Sequence, residues 1–126
     1  MVEMKDPTQL HDEGWQAQGF EWGNPTNPQK MKLATQMLKP LGPPEGLKVL
    51  DYGCGDAIMA RFFDDAGFQA HAIDISDTVI KYNRKILPEV QFELVTPGAL
   101  TPFPDNYFDV IFSSEVIEHL YDVNFV

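Results

Sequence analysis

The chain has 126 residues, 44% of them hydrophobic, with a formal net charge of −10 and a single cysteine, Cys54. That length suits one core and is too short for two full domains, and a lone thiol excludes an internal disulfide and a multi-cysteine zinc cluster, as expected of a cytoplasmic protein. Residues 49–126 carry four basic residues against thirteen acids; this disfavours nucleic acid as a partner, and the lack of an 18-residue apolar run predicts no membrane span.

Residues 1–26 hold Trp15, Phe20 and Trp22 among Gly, Asn and Pro with no sustained period, the pattern of an ordered N-terminal arm without regular structure whose aromatics must pack somewhere, ahead of a domain over residues 27–126. Asn27 followed by Pro28 has helix-start chemistry. Met31, Ala34, Thr35 and Leu38 then recur at helical spacing until Pro40. Next come a strand over Lys48–Asp51, a helix over Ala57–Ala66 closed by Gly67, and a strand over Gln69–Asp74. A helix over Asp77–Leu87 follows, with Ser76 as its cap, then strands over Val90–Val95 and Phe108–Ser114, and finally the start of another helix.

Strand alternating with helix predicts a parallel, right-handed α/β sheet. The third strand alternates, with Val90, Phe92 and Leu94 against Gln91 and Glu93, as beside water. Val110, Ile111 and Phe112 are apolar on both faces, so the fourth strand is expected to be central. The fold expected is a Rossmann-like, doubly wound parallel sheet of order 3-2-1-4, its remaining strands lying beyond Val126. A fourth strand without its neighbour exposes an edge, and self-association of the chain is the expected consequence.

The chemistry gathers at the first strand-to-helix turn, Asp51-Tyr52-Gly53-Cys54-Gly55-Asp56-Ala57. Two glycines allow a tight turn and close approach of a ligand, and a helix N-terminus offers unpaired N–H groups. Asp51 separates the nucleotide candidates: a carboxylate at the strand end repels the pyrophosphate of NAD and complements an ammonium. A dinucleotide fingerprint has its third glycine where this chain has Ile58. Each residue also has a purely structural use, because Asp51 can cap the loop and the glycines can serve the turn alone.

The run Val49-Leu50-Asp51-Tyr52-Gly53-Cys54-Gly55 resembles the first motif of class I S-adenosylmethionine-dependent methyltransferases, and Ala70-His71-Ala72-Ile73-Asp74-Ile75-Ser76 resembles the second. The stretch from Pro102 through Asp109 to Ile111, running into Ser114-Glu115-Val116-Ile117-Glu118-His119-Leu120, resembles the fourth-strand region of the type 11, or ubiquinone-biosynthesis-like, branch. The resemblance covers about residues 30–124 and implies an enzyme, cut after its fourth strand, that moves a methyl group from S-adenosylmethionine to a small-molecule or other acceptor by in-line displacement.

Carried over residue by residue, the resemblance lays the Gly53, Cys54 and Gly55 backbone against the methionine part of the cofactor, with Asp51 holding its ammonium. Asp74 would accept both ribose hydroxyls, and Ile75 would pack on the adenine. Ser113 would turn its carbonyl toward the ammonium, with Ser114 and Glu115 bordering the methyl group. The family's third motif glycine is Ala57 here, and Pro97 stands where relatives carry an adenine-binding aspartate. On a helix, Glu115, Glu118 and His119 share a face suited to a divalent metal; without metal, His119 or Glu115 would take a proton from the attacking hydroxyl. Two other readings stay open: a non-catalytic cofactor-binding module, which Pro97 favours, and an NAD-binding oxidoreductase fragment, which Asp51 and Ile58 oppose.

Overall fold

The computed structural model describes residues 28–113. The aromatic arm, Asn27, and Ser114 with everything after it lie outside the described residues. Helix α1 (Pro28–Leu38) buries Ala34 and passes into a single 3-10 turn over Lys39–Leu41, where Pro40 has no N–H to continue the helix. Strand β1 (Lys48–Tyr52), helix α2 (Ile58–Ala66), strand β2 (Gln69–Asp74), helix α3 (Asp77–Ile86), strand β3 (Gln91–Leu94) and strand β4 (Val110–Ser113) follow. Every pairing is parallel and the order is β3-β2-β1-β4, the Rossmann-like order expected from the alternating elements.

Burial explains the order. Strand β1 buries Val49, Leu50 and Asp51 in succession, and β2 buries every residue from Ala70 to Asp74, so these two are covered on both faces. In β3 only Phe92 is buried, which places it at an edge. The expectation for the fourth strand needs correction at its start. It begins at Val110 because Phe108 instead turns its ring against His71, at 5.2 Å between centroids. Among the described residues it pairs with β1 alone and Ile111 is 65% exposed, the open edge expected of a fourth strand without its neighbour.

Helix α2 lays Met59, Ala60 and Phe63 on the sheet and stops at Gly67, whose φ of 106° allows its N–H and that of Phe68 to reach back to the carbonyls of Asp64 and Phe63. Phe63 is fully buried and meets Phe68 and Phe112 edge-on at 5.8 and 5.5 Å, tying β4 to α2. Beside β2, the rings of Phe103, Tyr107 and Phe108 surround His71. Burial lowers the pKa of that imidazole below its ordinary value, so it is neutral at pH 7, and its Nδ1 has no partner among the described residues.

Helix α2 starts one residue later than the pattern predicts. Ala57 precedes it in the left-handed region, at φ 61° and ψ 22°, fully buried. A residue with a Cβ pays about 1–2 kcal/mol for this conformation, which is why a glycine suits the position. Glycine would also delete a buried methyl worth about 0.8 kcal/mol and loosen the unfolded chain by about 0.4–1 kcal/mol. Ala57→Gly is therefore expected to leave stability within about 1 kcal/mol of the parent by urea titration. A loss above about 2 kcal/mol would show that the methyl contact outweighs the backbone strain.

Candidate functional site

The C-terminal ends of β1, β2 and β4 meet at one edge of the sheet, with Tyr52 in register with both Ile73 and Ser113. Beyond Tyr52 the chain reverses through Gly53 and Gly55, at φ 76° and 53°. The N–H groups of Gly53 and Cys54 both donate to the Ile73 carbonyl, at 2.9 and 3.0 Å, and so lay the turn across the end of β2. The Gly55 N–H then donates to Asp74 Oδ2 at 3.0 Å, while Asp74 Oδ1 accepts the Ser76 N–H at 3.0 Å. The Ser76 hydroxyl caps α3 as expected, accepting from the Val79 N–H at 3.2 Å. One buried carboxylate thus fastens the glycine turn to the start of the second crossover.

The turn does not present a row of unpaired N–H groups, which corrects the expectation from its glycines. Gly53, Cys54 and Gly55 donate to β2, Ala57 donates to the Cys54 carbonyl at 2.8 Å, and the Ile58 N–H meets Asp56 Oδ1 at 3.3 Å. A carboxylate therefore already occupies the first turn of α2, where a pyrophosphate would sit in a dinucleotide site. What the glycines leave is shape: at Gly53 and Gly55 the backbone carries no side chain of its own.

Asp51 is 4% exposed. Burial, reinforced by the charge of Asp74, pushes its carboxyl up to about 7, against a hydrogen bond from the Ala60 backbone and the charge of Lys30 on α1. Burial also raises Asp56, with the Ile58 N–H and Lys30 acting the other way. The Cys54 thiol is pushed up by burial and by Asp51 and Asp74, so it stays protonated and is a small buried side chain, as its sequence context suggests. Among the described residues this edge gathers two acids, Asp51 and Asp56, whose carboxyls burial raises, and a thiol that is not activated.

Of the residues singled out from sequence, Asp51, Gly53, Cys54, Gly55 and Asp74 come together, and half-buried Ile75 follows directly. Ser113 ends β4 opposite Tyr52 and is exposed, its hydroxyl donating to the Tyr52 carbonyl at 3.4 Å. Ser114, Glu115, Glu118 and His119 lie outside the described residues, and among those described no three His, Cys, Asp or Glu side chains form a metal-sized group. No helix among the described residues is long and apolar enough to cross a membrane. Sequence reasoning missed Asp56 and Asn83. Fully buried Asn83 donates from Nδ2 to the Gly55 carbonyl at 2.8 Å; its signal was one polar residue on the inward face that Val79 and Ile80 define.

The family model for the methyltransferase domain, type 11, matches residues 50–126. A ubiquinone biosynthesis O-methyltransferase of Thiobacillus denitrificans is 36% identical over 84 residues, covering 64% of this chain and 36% of the relative. A probable S-adenosylmethionine-dependent methyltransferase of Mycobacterium tuberculosis is 34% identical over 74 residues, 59% of this chain and 27% of the relative. The chain thus spans about a third of the length of the curated relatives it matches. Among solved structures, magnesium protoporphyrin IX methyltransferase from Synechocystis with bound SAM aligns with a TM-score of 0.68 over 94% of this chain and 66% of that one; at 18% identity the likeness is one of fold. A parallel β3-β2-β1-β4 sheet, an acid and a glycine turn closing β1, and a family match over more than half the chain agree: this chain belongs to the methyltransferase domain family.

Proposed function

We propose that the C-terminal edge of the sheet binds S-adenosylmethionine and that the chain serves methyl transfer to a hydroxyl of a small molecule, the acceptor class named for its O-methyltransferase relatives. The observation that carries this reading is the bond from the Gly55 N–H to Asp74, which joins the two cofactor motifs into one acidic, glycine-floored corner. The residues fit this cofactor better than NAD. Asp51 complements an ammonium and Asp56 already fills the anion position of α2, so a pyrophosphate would meet two carboxylates.

When bound, S-adenosylmethionine supplies a methyl group on a sulfonium, already an excellent leaving group. The protein's part is to bind, orient and exclude water. Asp51 holds the ammonium. Gly53, Cys54 and Gly55 give a floor without side chains. Asp74, which accepts the N–H groups of Gly55 and Ser76, is the carboxylate that accepts the ribose hydroxyls. Ile75 packs on the adenine, Ser113 turns its carbonyl toward the ammonium, and Ser114 with Glu115 borders the methyl group. Glu115 or His119 takes the proton that the acceptor hydroxyl releases, or together with Glu118 they hold a divalent metal; these roles rest on the family resemblance. Calorimetry on the parent chain is expected to give at least about tenfold tighter binding of S-adenosylmethionine than of NAD. Tighter NAD binding would overturn the reading in favour of an oxidoreductase fragment, and labelled methyl transfer to a hydroxylated aromatic panel separates an enzyme from a binding module.

A further inference from the structure

Gly55 is held at both ends. Its N–H donates to Asp74, and its carbonyl accepts from Asn83 Nδ2 at 2.8 Å across 28 residues of sequence. Asn83 sits on α3, whose first turn is capped by Ser76, and the Ser76 N–H donates to the other oxygen of the same Asp74. A closed ring results, running from Gly55 through Asp74 and Ser76, along one face of α3, and back through Asn83. The peptide that follows Gly55 cannot rotate without breaking it.

Asn83 is also a poor choice for stability alone. Its side chain is fully buried between Val79, Ile80 and the turn, and its Oδ1 has no partner among the described residues. A buried amide with one end unsatisfied loses much of what its other hydrogen bond gains, whereas an apolar residue would remove the orphaned oxygen but leave the Gly55 carbonyl without its donor. The one bond that the side chain makes is spent on fixing the Gly55 peptide.

We infer that Asn83 is a positioning residue for the cofactor turn: its side-chain amide sets the orientation of the Gly55–Asp56 peptide and so the shape of the floor on which the methionine part of the ligand rests. The inference rests on the reading of this turn as the S-adenosylmethionine site, but its structural half can be tested without ligand. In the ligand-free parent, NMR should show a coupling through the hydrogen bond between the Asn83 side-chain nitrogen and the Gly55 carbonyl carbon. Asn83→Leu, similar in size and without a donor, should shift the Gly55 carbonyl and Asp56 amide resonances and weaken S-adenosylmethionine binding by the folded protein on the order of tenfold.

A structural role alone predicts parent-like affinity in the folded fraction whatever the urea midpoint, and that result overturns the inference. So does the absence of the coupling in the parent, which decides the matter even if the leucine variant does not fold. A parent chain that shows the coupling and the resonance shifts but binds no S-adenosylmethionine would overturn the functional reading and leave Asn83 as the residue that fixes the turn.

Discussion

Asp74→Ala is expected to weaken S-adenosylmethionine binding by about 1.5–3 kcal/mol and to lower the stability of the free chain by about 2–4 kcal/mol. The two losses share a cause. Asp74 is 3% exposed and accepts the N–H groups of Gly55 and Ser76 at 3.0 Å each, so alanine strands two backbone donors and releases both the glycine turn and the start of α3. The ribose hydroxyls lose a charged acceptor at the same time. Asp74→Asn, which keeps the shape and one acceptor oxygen, should fall between parent and alanine in both respects. Since the charge of Asp74 helps to hold the Asp51 carboxyl up, either variant should also bring Asp51 down from about 7. Calorimetry, urea titration and carboxyl NMR read the three effects; parent-like affinity and stability in the alanine variant would remove Asp74 from the site and from the ring that fixes the turn.

The backbone of this site was legible in the sequence for identifiable reasons. Gln69 to Asp74 reads as a strand between two helices, and its terminal acid falls beside the glycine turn once β1 and β2 pair in parallel. Ser76 announced its cap by residue type. Ala57 did not announce its left-handed backbone, because alanine carries no marker of positive φ as glycine or asparagine would. Phe108 reads as strand by composition, yet its ring goes to His71, a contact set by packing between distant segments. Asn83 was invisible as a site residue because its partner is a backbone carbonyl whose position depends on the path of a loop 28 residues away. The pairing of Asp56 with the first turn of α2 has a sequence signal, an acid just before a helix, which the neighbouring glycines mask because they are equally consistent with open N–H groups.

The pH dependence of this chain should carry the signature of Asp51, and its sign is opposite to that of a salt-bridged carboxylate. In the unfolded chain the group ionises near 3.8; in the folded chain burial holds it neutral up to about 7. Between those values the folded state binds the extra proton, so this group's contribution to stability falls as pH rises, by at most about 1.4 kcal/mol per pH unit and on the order of 4 kcal/mol in all. His71 contributes with the other sign: buried neutral, it costs stability as pH falls below its ordinary 6.5. Asp51→Asn isolates the first effect, because the neutral amide titrates nowhere and His71 is common to both chains. The stability of the variant relative to the parent should rise from about pH 4 to 7 and then level off, read by urea titration at each pH.

Ligand binding should move the other way. An ammonium needs the ionised carboxylate, so affinity of the parent for S-adenosylmethionine climbs by up to about tenfold per pH unit below 7, flattens, and declines as the ligand's own amino group loses its proton near 8. In Asp51→Asn the climb is gone and the affinity at pH 7.5 is lower, while the protein is more stable. A stability difference independent of pH would show that Asp51 is ionised in the folded chain throughout, and an affinity profile unchanged by the amide would place the ammonium elsewhere.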